Sequence, residues 1–232
     1  MPPRSKVSTP LPESVSVTAP AQTSPITSPR RRLSAEAREQ QIVQGAITFF
    51  SERGLVGQTR DLAREIGITH PLLYHYFPTK QALIERVYQE VYVGRWKPEW
   101  ERWLDDNNTA PEVKLTRFYQ DYARTLLTPE WVRILIFSGL NDDYIPAHFM
   151  AMLAEKLFPR VLRETRRHLG LPLRKKPTAR EQELILGLHG GIFYIGVRLH
   201  VYHLPLSASL EQLVQDRVTA HLAGARALFC AK

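Results

Sequence analysis

A group of polar and aromatic residues near position 70 has side chains that could contact nucleic acid. His70, Pro71, Tyr74 and His75 fall in the first turns of a short predicted helix. A histidine can donate or accept a hydrogen bond at a base edge, and a proline ring suits the methyl group of thymine. An α-helix fits the major groove with its N-terminal residues at the base edges, so this order predicts direct base contact. The alternative is that His70 is simply exposed.

Three predicted helices would position these side chains. Ser34 is a suitable N-cap for the first helix, and Gly54 supplies the left-handed residue that ends it. A second helix is predicted from about Thr59, as its cap, to residue 66, and a third from His70 to residue 77. Only the segment 67–69, which begins with glycine, separates them. Two short helices joined by such a turn are typical of a helix-turn-helix.

The sequence over residues 34–95 resembles the DNA-binding domain of the tetracycline-repressor (TetR) family. The resemblance is carried by the segments Thr59-Arg60, Leu62-Ala63, Gly67-Ile68-Thr69, Leu73-Tyr74, Tyr76-Phe77 and by Lys80. It implies an all-α protein with a three-helix helix-turn-helix DNA-binding domain, followed by a six-helix ligand-binding and dimerisation domain. The segment between Gly54 and Thr59 is one residue shorter than is common in the family, which leaves the cap of the second helix open.

The resemblance also implies roles for individual residues. Arg60 matches a position that binds guanine through its forked guanidinium group, although an ion pair with Glu65 or another acidic residue is the alternative. The positions implied to hold phosphates are Thr59, Thr69, Tyr74, Tyr76 and Lys80. Lys80 also stands at a helix N-terminus, whose free N–H groups attract anions.

Helical patterns continue to the end of the chain. A long helix is predicted after Pro78, and further helices are predicted over about 112–127, 129–141, 146–169, 179–203 and 208–229. We expect Pro159 to kink the helix that contains it, and Ser209 with Gln212 to form a capping box for the last helix. The predicted domains are a disordered basic tail (1–33), a DNA-binding domain (34–80) and an effector-binding and dimerisation domain (81–232).

Aromatic residues are frequent in the middle helices, where the resemblance implies an effector pocket. An ordinary core is the alternative for each of them, because aromatic stripes are commonly buried. The candidates for the pocket are Trp100, Trp103, Phe118, Tyr122, Trp131, Phe137, Tyr144, His148 and His189. A bound effector would then act on the DNA-reading helices through the fourth helix.

The last two helices are predicted to form a homodimer interface. Glycines at 187, 190 and 191 leave little side-chain bulk on one helix, which favours close approach by another backbone. Packing within one subunit is the alternative. The predicted interface residues are Gly187, Gly190, Gly191, Tyr194, Leu210, Val214 and Val218.

Composition restricts the compartment and the partners. The net charge is +8, but residues 34–80 carry as many acidic as basic residues, so charge alone does not locate a nucleic-acid surface. The tail ends in Arg30-Arg31-Arg32, which could contact phosphates or remain a solvated junction. A single cysteine, Cys230, and the lack of a long apolar run favour a cytoplasmic protein with no membrane partner.

Enzymatic signals are weak. Phosphate loops, nucleophile elbows and paired-cysteine zinc motifs are missing, and His200 and His203 alone make a poor metal site. We therefore expect no catalytic residue, cofactor or metal. The expected function is a sequence-specific DNA-binding repressor, released by a small, largely apolar or aromatic effector. The alternatives are a regulator of the same fold that is controlled by a protein partner or by nothing and, less favoured, a small-molecule enzyme or carrier.

Overall fold

The computed structural model describes residues 33–141 and 144–230, and this part of the chain is helical without strands. The predicted tail with its three arginines therefore lies outside the described residues, apart from Leu33. The helices are α1 Ala35–Arg53, α2 Thr59–Glu65, α3 His70–Tyr76, α4 Lys80–Tyr88, α5 Pro98–Asp105, α6 Pro111–Leu126, α7 Pro129–Asn141, α8 Tyr144–Lys156, α9 Phe158–Leu169, α10 Ala179–His200 and α11 Leu210–Cys230. The all-α prediction with an N-terminal helix-turn-helix is confirmed.

The ends of the first helix follow from local chemistry. Ser34 Oγ accepts a hydrogen bond from the Ala37 N–H at 3.1 Å, which satisfies one of the free donors of the first turn. Gly54, with φ at 72°, donates its N–H to the Phe50 carbonyl. Both predicted boundaries are confirmed.

The second and third helices meet across a glycine turn, as predicted. Gly67 adopts φ 72°, which a residue without a side chain reaches most easily. The prediction that Thr59 caps α2 is wrong, because Gln58 is the N-cap and makes no side-chain capping bond. Thr69 caps α3, where its Oγ1 accepts from the Leu72 N–H at 3.3 Å. Of Thr59 and Thr69, only Thr69 is therefore a helix cap.

The region after α4 departs from a regular helix. Residues Gln89–Val93 form a π-helical turn that continues α4 and ends at Gly94. Within this turn Tyr92 is fully buried, and its hydroxyl donates to the Trp131 carbonyl at 2.9 Å. The turn therefore ties the end of α4 to α7.

Two features after α4 differ from the sequence predictions. Helix α5 was not expected, although Trp100 and Leu104 stand four residues apart and are both buried. The helix expected over 146–169 is two helices that part at Leu157, because Pro159 occupies the first turn of α9 instead of kinking one long helix.

The ends of the last two helices also follow from local contacts. Helix α10 begins with a capping box of Thr178 and Glu181, and it stops at His200, since His203 has φ 54°. Only half of the capping box expected for α11 is present. Ser209 Oγ accepts from the Gln212 N–H, whereas the Gln212 side chain donates to Asp216.

One hydrophobic core runs through the described helices. Helix α1 packs against α4 and α7, α7 also packs against α8 and α10, and α6 lies against α9 and α11. Helix α1 belongs to the predicted DNA-binding domain and α7 to the predicted effector-binding domain, yet the two share this core. The domain boundary at residue 80 therefore stays a prediction. None of the described helices has the length and apolarity to span a bilayer.

Candidate nucleic-acid interface

Helix α3 turns one face to the core and one to solvent. Leu73 and Phe77 are buried, whereas Pro71, Tyr74 and His75 are exposed. This division is what a helix requires if it is to rest on α2 with one side and enter a groove with the other. The exposed side carries the residues that were predicted to meet DNA.

The first turn of α3 is tied to α2 by a hydroxyl group. Thr59 Oγ1 lies 3.1 Å from His70 Nε2 and 3.3 Å from the Tyr74 hydroxyl. The rings of His70 and Tyr74 meet edge to face, with centroids 4.8 Å apart. Sequence reasoning assigned these three residues separately to DNA and did not detect that they form one cluster, which we call the Thr59 cluster.

Arg60 is exposed beside this cluster. The alternative prediction, an ion pair with Glu65, is not found, because Glu65 instead pairs with Arg53 at 2.8 Å. The other arginine of α2, Arg64, pairs with Asp61 at 2.7 Å. Arg60 makes no ion pair within the described residues, so its guanidinium group is available to a partner.

The remaining predicted phosphate contacts occupy different positions. Thr69 is exposed and serves as the α3 cap. Tyr76 is half-buried, with its ring edge to face with that of His75. Lys80 is the first residue of α4, which Thr79 caps through a bond from the Ala82 N–H at 3.0 Å. Thr69 and Tyr76 therefore lie at the two ends of α3, and Lys80 lies at the start of α4.

Three of the predicted effector-pocket residues pack against one another in the core. Trp100, Phe118 and Tyr122 are buried, and their ring centroids lie 5.5 to 5.7 Å apart. The Trp100 Nε1–H donates to Asp121 at 2.7 Å. None of the three lines either of the two cavities described below, so their place in an effector pocket stays a prediction.

Four further candidates lie away from the main cavities. Trp103 is half-buried beneath the guanidinium group of Arg117, at 3.9 Å from the ring centroid. Phe137 packs against Gly54, where an added Cβ would lie 3.4 Å from the Phe137 side chain. The rings of Tyr144 and His148 are tilted at 36° to each other, with centroids 4.0 Å apart, beside Tyr88. None of the four lines the two larger cavities described below, although Phe137 borders a smaller one of about 120 Å³. Their role in an effector pocket stays a prediction.

Trp131 and His189 do line a cavity. It has a volume of about 440 Å³ between α7, α8 and α10, and its lining contains no charged side chain. A second cavity of about 660 Å³ lies between α8, α9 and α10. Both are lined by Met150 and Leu186, so we call the two together the trough. Sequence reasoning missed these two residues, although both are large apolar residues that remain exposed.

The polar groups near the smaller cavity are neutral. Burial lowers the pKa of His189 to about 4, so the imidazole is uncharged at neutral pH. Trp131 Nε1 and His189 Nδ1 have no hydrogen-bond partner among the described residues. An uncharged wall with so few polar groups suits an apolar molecule.

The predicted dimer residues divide into two groups. Gly187, Gly190 and Tyr194 form an exposed stripe on α10, and an added Cβ at either glycine would meet nothing within 4 Å. Gly191 is half-buried because Arg217 donates to its carbonyl at 2.9 Å, and Leu210 is also half-buried. Val214 and Val218 are fully buried within the chain. That part of the prediction is corrected, because these two side chains already pack against their own subunit.

The helical architecture and the exposed α2–α3 pair define an all-α protein with an N-terminal helix-turn-helix. Residues 42–87 match the profile of the bacterial regulatory proteins of the tetR family. Two similar proteins are named HTH-type transcriptional repressor KstR2. The one from Mycolicibacterium smegmatis is 33% identical over 87 residues, covering 36% of this chain and 40% of that protein.

The second of these relatives, from Rhodococcus jostii, is 27% identical over 123 residues, covering 46% of this chain and 59% of that protein. This chain therefore matches about half the length of these two repressors. Among solved structures, a TetR-like regulator from Rhodococcus sp. RHA1 has a TM-score of 0.63 at 18% identity, covering 83% of this chain and 100% of that one. A tetR-family regulator from Streptomyces coelicolor gives 0.54 at 19% identity, covering 84% and 85%. At this level of identity, the two similarities show a shared fold.

Proposed function

We propose that this chain is a homodimeric, sequence-specific DNA-binding repressor that a small apolar ligand releases from its operator. The observation that carries the proposal is the exposed face of α3 with Arg60 beside it. Base-reading groups stand on this face and phosphate-binding groups surround it, while Leu73 and Phe77 anchor the helix from behind. The repressor assignment is supported by the two similar repressors.

Dimerisation would place two copies of α3 on one operator. A two-fold dimer presents its recognition helices about one helical turn of DNA apart, roughly 34 Å. The exposed α10 stripe supports this arrangement, because Gly187 and Gly190 allow another backbone to approach without displacing any side chain of their own subunit. Leu186 and Tyr194 add exposed apolar surface to the same helix.

The trough supports the ligand part of the proposal. Helix α7 lines the smaller cavity through Trp131 and Leu135, and its Phe137 packs against Gly54 at the end of α1. A ligand in this cavity would therefore bear on a helix that also contacts the DNA-binding end of the molecule. The sequence had suggested α4 as the connection. Helix α7 gives a shorter route, because it contacts both the cavity and α1.

Selection of bound sequences from random duplex DNA tests the proposal. We expect a two-fold symmetric consensus, with binding that weakens steeply as salt rises because phosphate contacts release counterions. Failure to enrich any sequence, or binding that salt does not affect, would contradict DNA recognition and favour the enzyme or carrier alternative.

A separate measurement distinguishes a ligand-controlled repressor from one that responds to a protein partner or to nothing. Uncharged apolar compounds should raise the melting temperature and weaken operator binding. Leu135→Trp, which fills the cavity, should abolish both effects. If no apolar compound changes stability or DNA affinity, the ligand part of the proposal fails while DNA binding stands.

A further inference from the structure

The Thr59 cluster contains one hydroxyl oxygen between two groups that each can donate or accept. Thr59 Oγ1 lies within hydrogen-bond distance of His70 Nε2 at 3.1 Å and of the Tyr74 hydroxyl at 3.3 Å. A threonine hydroxyl has one proton to give and two lone pairs to receive. The two contacts are therefore not independent, since Thr59 can donate to only one neighbour and must accept from the other.

Two proton arrangements satisfy the cluster. In the first, the Tyr74 O–H donates to Thr59, the Thr59 O–H donates to His70 Nε2, and the imidazole proton is on Nδ1. In the second, His70 Nε2–H donates to Thr59, the Thr59 O–H donates to the Tyr74 oxygen, and the Tyr74 O–H is free. His70 Nδ1 is then an unprotonated acceptor. The position of the imidazole proton is thus linked to the direction in which Tyr74 donates.

The phosphate backbone distinguishes between these arrangements. Phosphate oxygens only accept hydrogen bonds, so a tyrosine that binds one must direct its O–H toward DNA. Tyr74 is 39% exposed on the outer face of α3, where a groove-bound helix meets the backbone. Once Tyr74 donates to phosphate, its oxygen can only accept from Thr59, and the second arrangement follows.

We propose that Thr59 is a positioning residue that links the phosphate contact of Tyr74 to the tautomer of His70, so that His70 Nδ1 accepts a hydrogen bond from the amino group of adenine or cytosine. This inference rests on the proposed DNA-binding function. In the major groove adenine N6 and cytosine N4 are donors, whereas guanine and thymine offer acceptors. A fixed acceptor at His70 therefore separates the four bases into two pairs.

The surroundings of the ring favour such a fixed orientation. His70 is half-buried, with its edge-to-face contact on Tyr74 restricting rotation. Its Nδ1 makes no hydrogen bond to any described residue, which leaves this atom for a base.

Selection from random DNA with four proteins tests the base preference at about pH 8, above the pKa of an ordinary imidazole. The position read by His70 is the one that loses its preference in His70→Ala. There we expect the wild type to favour adenine or cytosine, and Thr59→Val to lower this discrimination about fivefold, as for the loss of one hydrogen bond. Thr59→Ser, which keeps the hydroxyl, should retain it.

Two further measurements distinguish an effect on the His70 tautomer from general damage to α2. One uses an operator whose base lacks the amino group, and the other is nuclear magnetic resonance of the complex. If the position read is adenine, replacing it by purine should weaken wild-type binding about fivefold and change binding of Thr59→Val little. If it is cytosine, the matched substitution removes the N4 amino group. Nitrogen chemical shifts of the operator complex should show His70 protonated at Nε2 in the wild type and as a mixture of tautomers in Thr59→Val.

The outcomes distinguish this inference from the function on which it rests. A wild-type preference for guanine or thymine, an unchanged preference in Thr59→Val, or an Nδ1-protonated ring in the complex would each overturn the role of Thr59. A wild-type protein that enriches no symmetric sequence at all would instead contradict DNA recognition itself.

Discussion

At the scale of single residues, α2 carries two arginines with different surroundings. Arg64 is held by Asp61 at 2.7 Å, whereas Arg60 makes no ion pair within the described residues. A free guanidinium group can approach the O6 and N7 atoms of guanine with two parallel hydrogen bonds. The two arginines therefore offer a matched comparison on one helix.

Arg60→Ala should lower affinity for the selected operator about 10- to 100-fold, because a forked contact to guanine contributes about 1–3 kcal/mol. Fluorescence anisotropy with a labelled duplex measures this change. Arg64→Ala should alter affinity less than about threefold, since an exposed ion pair contributes little. Equal losses in the two variants would indicate that only the overall charge of α2 matters.

A buried ion pair is the other residue-scale feature with a clear consequence. Lys114 of α6 and Glu164 of α9 contact each other with side chains that are 2% and 0% exposed. The Lys114 ammonium also donates to the carbonyls of Leu104 and Asp106, and Glu164 accepts from Arg163 and Arg167. The pair therefore joins α6 and α9 to the end of α5.

Glu164→Leu should lower the free energy of unfolding by about 3–5 kcal/mol, because it leaves the Lys114 charge buried without its counter-ion. Urea unfolding gives this value. The double variant Lys114→Met with Glu164→Leu should recover part of the loss, since it removes the buried ammonium group but still leaves the Asp106 carbonyl without the Lys114 donor and Arg163 and Arg167 without the Glu164 acceptor. A double variant as unstable as Glu164→Leu would show that the buried charge is not the cause.

At the scale of helices, local signals fixed most boundaries but not the contacts between elements. Ser34, Gly54 and Gly67 act within a few residues of chain, so their effects could be predicted. Helix α5 was not predicted, although Pro98 stands in its first turn, a position to which proline is suited. The Thr59 cluster and the trough depend on how helices pack, and residue order alone does not specify that.

The aromatic residues illustrate the same limit. Trp100 and Trp131 are equally apolar in sequence, yet of the two only Trp131 lines the trough, because the difference arises from the gap between α7, α8 and α10. Val214 and Val218 were likewise assigned to a dimer surface from their helix alone. Helices α6, α9 and α10 pack against α11 and determine which of its faces is buried within the subunit.

Helix α10 provides the element-scale prediction. Gly187→Leu should leave the subunit folded, because no atom lies within 4 Å of an added Cβ, but it should shift the dimer toward monomer. Sedimentation velocity would detect the shift, and circular dichroism would confirm the helices. Val113→Leu, an exposed position on α6, serves as the control and should leave the dimer unchanged. An undiminished dimer in Gly187→Leu would exclude this stripe as the interface.

At the scale of the whole molecule, stability depends on buried groups that must keep their charge state. Burial lowers the pKa of His189 to about 4, whereas the Arg166 guanidinium holds the pKa of Glu181 at about 2. In the unfolded chain these groups return to ordinary values near 6.5 and 4.5. The unfolded state therefore binds a proton before the folded state does in both cases, and acid favours unfolding.

The free energy of unfolding should fall as the pH drops from about 6.5 to about 4 through His189, and again from about 4.5 to about 2 through Glu181. His189→Leu should flatten the first part of this profile by about 2–3 kcal/mol relative to its own value at neutral pH, where the histidine is uncharged in both states. Denaturant titrations at a series of pH values measure the effect. A profile unchanged by His189→Leu would contradict the assignment.

Helix α7 has two occupied faces, since Trp131 and Leu135 border the cavity while Phe137 rests on Gly54. Substitutions on α7 that resize the cavity in order to alter ligand preference would therefore also change how α1 packs against α7. Variants selected only for a new inducer should show altered operator affinity even before any inducer is added. Compensating changes should then accumulate around Gly54 and Phe137, at a distance from the compound itself.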